Sequence, residues 1–257
     1  MDPWILKLQQ EAIRIASRYR CPEFYVRFKA PMALARRLYF SDSIVVFLRD
    51  LVRPILQDRM GHGLLHSTRV SLDAATLIHV ELNSNPVTRE QLERLMTLGL
   101  VAGLLHDICR NESNHAESGA LEAAKMLKDL PLPMSRDEIQ CVCLAIRNHE
   151  AFVAPVPSNR PWFQLISDCL YDADKFRWGP DTFTHTLWHM MDHQHLNPWE
   201  LLEKFPWGMT GVRRVMDTFR TATGRQYGPE IIETGMEMGK EIYRSLLQFV
   251  RDNYHDQ

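Results

Sequence analysis

The sequence predicts an all-α protein, a compact multi-helix bundle with extra helices at both ends. Two observations favour this class: strand-like alternation is scarce, and turn signals fall between long segments whose apolar residues recur with a period near 3.6. Of its 257 residues, 45% are hydrophobic and 24% charged, so the chain can bury a substantial core. A net charge of −2 offers no bulk attraction for a nucleic acid polymer or a membrane, and neither is an expected partner.

We interpret residues 1–257 as a single domain, because no linker is long or flexible enough to separate two. A central block, about residues 56–180, contains the clustered histidines and aspartates, and residues 1–55 and 181–257 are predicted to be helical extensions. The five cysteines form no CxxC pair, and the N-terminus has no continuous apolar signal core. Both features indicate reduced thiols and a cytoplasmic location.

Capping signals predict where helices of the central block begin. The segments "TREQ" (88–91) and "SRDE" (135–138) are capping boxes, which predict helices running to His106 and to about His149. Asn114 is predicted to cap the start of a third helix.

Proline- and glycine-rich segments predict the breaks between helices. In the central block these are residues 129–134 and 153–161. In the C-terminal extension, "PWGMTG" (206–211) and "TGRQYGP" (223–229) predict turns.

An apolar run from Leu98 to Leu105 leads directly into His106 and Asp107. The run is too short to span a bilayer, so the GxxxG spacing inside it predicts no membrane contact. Its helix is apolar nearly all round, which predicts full burial. Because a buried, unpaired carboxylate costs several kcal/mol, Asp107 needs a counter-charge.

Other helices are predicted to carry a histidine or an aspartate on their buried faces. The apolar positions that share these faces are Val70, Ala74 and Leu77 for His66, Ile139, Val142 and Ile146 for His149, and Phe163, Ile166 and Leu170 for Asp174. Such groups, meeting inside a helical bundle, are typical of a metal site. Neutral imidazole and carboxylate bind divalent Mn, Fe, Co, Ni or Zn, and such an ion supplies the charge that Asp107 lacks.

Three motifs occur in a fixed order: "LLHSTRV" with His66, "GLLHDICR" with His106 and Asp107, and "LYDADKF" with Asp174. In this order and context they resemble the HD-domain metal-dependent phosphohydrolase superfamily, over roughly the central half of the chain. The resemblance implies that these four residues ligate a divalent ion. The candidate metals are then Mn, Fe, Co, Ni, Zn and Mg. The aspartates of "DADK" point about 200° apart on a helix. The resemblance selects Asp174, which precedes the lysine, and gives Asp172 a supporting position behind the ligands. The apolar pattern leaves the choice open, because Leu165, Cys169 and Phe176 favour burial of the face that carries Asp172.

His115 and His149 resemble positions that bind a second metal in the binuclear branch of this superfamily, with Asp107 bridging. The chain departs from that branch, because Asn148 stands where a second histidine is usual and the GYP motif is missing. The expected cofactor is therefore one or two divalent ions. The alternative for His115 and His149 is a contact with the substrate phosphate or a water.

The resemblance implies hydrolysis of a small phosphate ester, a nucleotide above all, by attack of a metal-activated water on phosphorus. The resemblance does not decide whether the substrate is a phosphomonoester, a phosphodiester or a nucleotide pyrophosphate. Asp107 is the candidate for orienting the water, and His115 or His149 for protonating the leaving group. The alternative function is a non-catalytic HD-like sensor or scaffold that binds a ligand without turnover.

Arg69 and Lys175, with Arg110 as a weaker candidate, are predicted to bind the phosphate because they neighbour the ligands. His62, one turn before His66, is predicted either to support a ligand from outside or to pack at the helix start. Three further histidines are predicted to lie on a surface helix or a wall of the substrate cleft: His185, His189 and His193.

Overall fold

A computed structural model describes residues 1–56, 59–83, 85–129 and 133–254. Within these residues the chain forms twelve α-helices and no β-strand, so the predicted all-α class is confirmed. The helices are α1 (Pro3–Ala16), α2 (Glu23–Arg27), α3 (Lys29–Ser41), α4 (Ser43–Val52), α5 (Leu64–Leu82), α6 (Arg89–Leu105), α7 (His115–Asp129), α8 (Arg136–Arg147), α9 (Pro161–Phe176), α10 (Leu187–Gln194), α11 (Pro198–Arg214) and α12 (Ala222–Asn253). A π-helical turn, Thr182–Thr186, leads into α10.

Both capping boxes form as predicted. Thr88 Oγ1 accepts the Gln91 N–H at 3.2 Å, and the Gln91 side chain accepts the Thr88 N–H at 3.0 Å. Ser135 and Glu138 exchange the same pair of bonds at the start of α8. The predicted cap position, Asn114, directly precedes α7.

The proline-containing segments have different outcomes. Residues 153–161 form the predicted break, and α9 begins at its last proline. Of the predicted break at 129–134, residues 130–132 lie outside the described residues. The turns predicted at 206–211 and 223–229 are wrong, because α11 and α12 run through them.

Tertiary packing explains why these two segments stay helical. One face of α11, which includes Leu201 and Phe205, is buried, and that packing outweighs the backbone hydrogen bond that Pro206 cannot donate. In α12, a Cβ added to Gly224 would overlap the Asp172 carboxylate. Here a glycine marks a close contact between helices rather than a turn.

The central helices pack around α6. This helix packs against α5, α8 and α9, and every residue from Met96 to Leu105 is buried, as predicted. At its crossing with α5, a Cβ added to Gly103 would lie 2.5 Å from the Ser71 Cα, and the Ser71 hydroxyl donates to the Leu100 carbonyl at 3.0 Å. The GxxxG spacing therefore marks a close helix crossing, which was not predicted from the sequence.

We expect Gly103→Ala to lower the free energy of unfolding by about 1–3 kcal/mol, because the methyl group meets the backbone of α5. The matched control is Gly208→Ala in α11, where the added Cβ meets no described atom within 4 Å apart from its chain neighbours and the nearby backbone of its own helix. That change is expected to stabilise the protein by about 0.5–1 kcal/mol through helix propensity. Urea unfolding measures both variants, and equal changes would contradict the close crossing.

The terminal helices pack on the central ones: α1 contacts α12, α3 contacts α5 and α4 contacts α6. In the described part of the chain, no helix has both the length and the apolar character needed to cross a bilayer.

Candidate metal centre

Five helices bring imidazole and carboxylate groups to one buried place, which we call the His–Asp cluster. Its members are His66 in α5, His106 and Asp107 directly after α6, His115 at the start of α7, His149 just after α8, and Asp174 in α9. The faces predicted to carry His66, His149 and Asp174 are indeed turned inward. The cluster contains all six predicted metal ligands and catalytic residues.

Four potential ligand atoms lie at similar distances from one another. His66 Nε2 is 3.2 Å from His106 Nε2 and 3.3 Å from Asp174 Oδ1. Asp107 Oδ2 is 3.6 Å from His66 Nε2 and 3.3 Å from His106 Nε2. Nitrogen and oxygen ligands of a tetrahedral ion lie about 2.0–2.1 Å from the metal, which places them about 3.4 Å apart. The spacing of the four atoms therefore fits a coordination shell.

Backbone contacts fix two of the imidazoles. His106 Nδ1 donates to the Gly103 carbonyl at 2.8 Å, and His149 Nδ1 donates to the Ile146 carbonyl at 2.6 Å. The Nε2 lone pair of each ring therefore faces the cluster, as in metal-binding histidines. A proton on His66 Nε2 can form a hydrogen bond with only one of the neighbouring ligand atoms, whereas a metal ion can be bound by all of them.

The second oxygen of Asp107 faces other histidines. Asp107 Oδ1 lies 3.6 Å from His149 Nε2 and 4.0 Å from His115 Nε2. It is buried and has no hydrogen-bond partner among the described residues. Since buried polar atoms are normally paired, this oxygen also fits a nearby positive charge.

The electrostatics of the cluster keep its carboxylates ionised, and these carboxylates raise the pKa of His106 despite burial, so a metal ion would compete with a proton on that ring. Burial alone would raise the pKa of the Asp107 carboxyl, but the imidazoles, His106 first, outweigh it and hold that pKa well below the usual range. Burial likewise opposes ionisation of Asp174, but the Lys175 ammonium keeps its pKa well below normal. Burial lowers the pKa of His66 to about 4. At neutral pH both carboxylates are charged and His66 is neutral, which are the forms that bind metals.

His62 contacts the cluster directly. Its Nδ1 lies 2.9 Å from Asp107 Oδ2, so the ring supports a candidate ligand, one of the two predicted roles. The preceding Met60 and Gly61 have left-handed φ angles of 55° and 74°, and a Cβ on Gly61 would lie 2.6 Å from the Thr186 Cα. This turn directs His62 inward, and such strained conformations concentrate at functional sites. The four-residue spacing to His66 was the only signal in the sequence.

The predicted phosphate ligands lie in different surroundings. Lys175 is buried and donates to Asp174 Oδ2 and, at 2.9 Å, to the His149 carbonyl. Arg69 Nη1 pairs with Asp181 Oδ1 at 3.0 Å. The contacts of Lys175 and Arg69 with a phosphate stay predictions.

A cleft of about 260 Å³ leads to the cluster. Its polar lining includes His62, Asp107 and Arg110, and an aliphatic wall is formed by residues 54–56 and Ile108. It gives a small molecule a route to Asp107.

The two aspartates of "DADK" have separate contacts. Asp174 belongs to the cluster, as the resemblance selected. Asp172 instead accepts the backbone N–H groups of Arg220 and Thr221, each at 2.8 Å, immediately before α12. Burial raises the pKa of Asp172 to about 6.

The three histidines near α10 are not members of the cluster. His185 is in the π-helical turn, its ring is 4.3 Å from that of His189, and His193 is exposed. None of the potential metal-ligand groups found in the described residues includes them.

A buried ionic network, unpredicted from the sequence, adjoins the cluster. Arg177, three residues after Asp174, donates to Asp73 Oδ2 and to the Tyr25 hydroxyl, and it pairs with Asp181 Oδ2 at 2.6 Å. Since Asp73 is on α5, the network joins the two helices that carry His66 and Asp174.

No protein-family profile, curated protein or solved structure matches the chain.

Proposed function

We propose that the protein is a metal-dependent phosphohydrolase of the HD type, acting on a small phosphate ester. The observation that carries the proposal is that four buried nitrogen and oxygen atoms meet at one place. His66 Nε2 and His106 Nε2 lie 3.2–3.8 Å from each other and from the nearer oxygens of Asp107 and Asp174. The ordered motifs that resemble the HD superfamily support the same reading. A nucleotide is the first substrate class to test, because that resemblance implies it.

His66, His106, Asp107 and Asp174 would hold the ion. A bound divalent ion lowers the pKa of a water toward ~7 and offsets negative charge on the phosphoryl oxygens. Asp107 Oδ1, the free face of the carboxylate, orients the attacking water by accepting one of its hydrogens.

The remaining steps use the histidines beside Asp107 Oδ1. The water oxygen bonds to phosphorus while the bond from phosphorus to the leaving-group oxygen breaks, so no phosphoenzyme forms. His149, whose Nε2 lies 3.6 Å from Asp107 Oδ1, takes the proton that the water loses and passes it to the leaving-group oxygen. Burial first, and then the Arg110 charge, lower the pKa of His115 to about 4, so this ring is neutral and accepts an N–H from Arg110 at 2.9 Å instead of a proton.

The test is turnover by the purified protein of nucleotides, other phosphomonoesters and cyclic dinucleotides, with Mn, Co, Ni and Mg supplied in turn. We expect hydrolysis of at least one class, strictly dependent on the metal and abolished by a chelator. Bound metal without turnover of any substrate would favour the sensor instead. A protein that binds none of these metals would contradict both functions.

A further inference from the structure

Arg110 stands on the face of Asp107 that points away from His66. Its Nη1 lies 2.9 Å from His115 Nε2 and 3.9 Å from Asp107 Oδ1. The side chain lines the cleft and is 35% exposed, so its remaining N–H groups can meet a ligand.

The contact between Arg110 and His115 has only one chemical direction. A guanidinium has five N–H donors and no acceptor, so Arg110 donates and His115 Nε2 accepts. An imidazole nitrogen has one lone pair, and a metal would need that same pair. His115 Nε2 can therefore serve Arg110 or a metal ion, but not both.

Asn148 does not supply a metal ligand in place of His115. Asn148, directly before His149, uses its amide to accept the Val156 N–H and to donate to the Val156 carbonyl, both at 2.9 Å. Its side chain is thus committed to the loop at 153–161. Among the described residues, Asp107 Oδ1 and His149 Nε2 are then the ligand atoms left for a second ion on this face, and the permanently charged guanidinium beside them repels it.

We propose that Arg110 takes the place of a second metal ion. On this view, which rests on the proposed function, the site holds one divalent ion on the Oδ2 face of Asp107 and the guanidinium on the Oδ1 face. Arg110 then binds the substrate phosphate through the N–H groups that face the cleft, in the two-pronged geometry that suits phosphate.

The first measurement is the number of metal ions bound, by elemental mass spectrometry and by calorimetric titration with Mn²⁺. We expect one ion in the wild type and two in Arg110→Ala, the second more weakly held. Arg147→Ala is the matched control, because Arg147 pairs with Glu117 on the helix that His115 begins and lies away from the cleft. It is expected to bind one ion. In Arg110→Ala/His115→Ala the count should return to one.

The second measurement is the affinity of the metal-loaded proteins for inorganic phosphate. Arg110→Ala is expected to weaken it at least about tenfold, as loss of a charge-assisted hydrogen bond implies, and Arg147→Ala to leave it unchanged. Arg110→Met repeats both measurements with the aliphatic part of the side chain kept, in case the smaller residue disturbs the turn.

Two ions in the wild type, or one ion in both Arg110 variants, would overturn the proposal about Arg110 while leaving the phosphohydrolase intact. Unchanged phosphate affinity in both Arg110 variants would also overturn it. A wild-type protein without any metal would overturn the proposed function itself, and the two failures are therefore distinguishable.

Discussion

Asp107→Asn is expected to reduce bound metal from about one equivalent to almost none and to lower turnover at least about 100-fold. Asparagine keeps the volume of the side chain but removes the charge that both faces of the cluster use. Asp107 is 3% exposed, so the charge is lost from the buried part of the cluster, where water screens little. Asp174→Asn is expected to have the same result, since it removes the second of the two charges. Elemental analysis and kinetics on the purified variants measure both effects.

The matched control is Asp172→Asn, two residues from Asp174 on the same helix. Asp172 is equally buried but bonds the backbone before α12 instead of the cluster. Asp172 Oδ1 accepts the Arg220 N–H and Oδ2 accepts the Thr221 N–H, so the amide oxygen of asparagine can keep only one of these bonds. The variant should therefore be less stable, but the metal content and turnover of the folded protein should stay near wild type. Loss of metal in Asp172→Asn, with retention in Asp174→Asn, would reverse the assignment of the two residues. Thermal unfolding monitored by circular dichroism shows whether each variant is folded.

Arg177→Met is expected to lower the free energy of unfolding by about 3–5 kcal/mol, the range for removing one partner of a buried ion pair. Arg177 is 8% exposed and Asp73 is 5% exposed, so the carboxylate that loses its partner cannot regain water. Burial already raises the pKa of Asp73 despite the guanidinium beside it. Urea unfolding measures the change.

Arg69→Met provides the comparison, because Arg69 shares the partner Asp181 but is 39% exposed. An exposed pair contributes about 0–1 kcal/mol, so this variant should unfold close to wild type. Combining Arg177→Met with Asp73→Asn should cost less than the two single changes added together, because they act on one interaction. Equal losses in Arg69→Met and Arg177→Met would show that burial does not determine the strength of these pairs.

Much of the fold could be predicted because its signals are local. A capping box specifies a helix start within four residues, and a 3.6-residue stripe specifies the buried face that carries His66. The turns predicted around Pro206 and Pro229 were wrong because tertiary packing, which cannot be seen in the sequence, kept these segments helical. The same limit applies to Gly103, whose spacing was visible but whose partner, Ser71, lies on another helix.

The cluster was predictable for a different reason: its members occur in an ordered set of motifs. What could not be predicted was which atoms they face. Lys175 follows Asp174 in the sequence, yet its ammonium contacts that aspartate and the His149 carbonyl. The network of Tyr25, Asp73 and Arg177 joins positions about 50 and 100 residues apart, and no pattern in the sequence relates them.

The attachment of Asp172 to the backbone before α12 bears on how the protein can be divided. A fragment that stopped near residue 180 would keep every candidate ligand but would remove both N–H donors of this carboxylate. The buried Asp172 carboxylate would then have lost these hydrogen-bond donors, less than one helical turn from Asp174 in α9. The C-terminal extension is thus structurally required by the ligand-bearing helix, and the smallest working unit is longer than the span of its motifs.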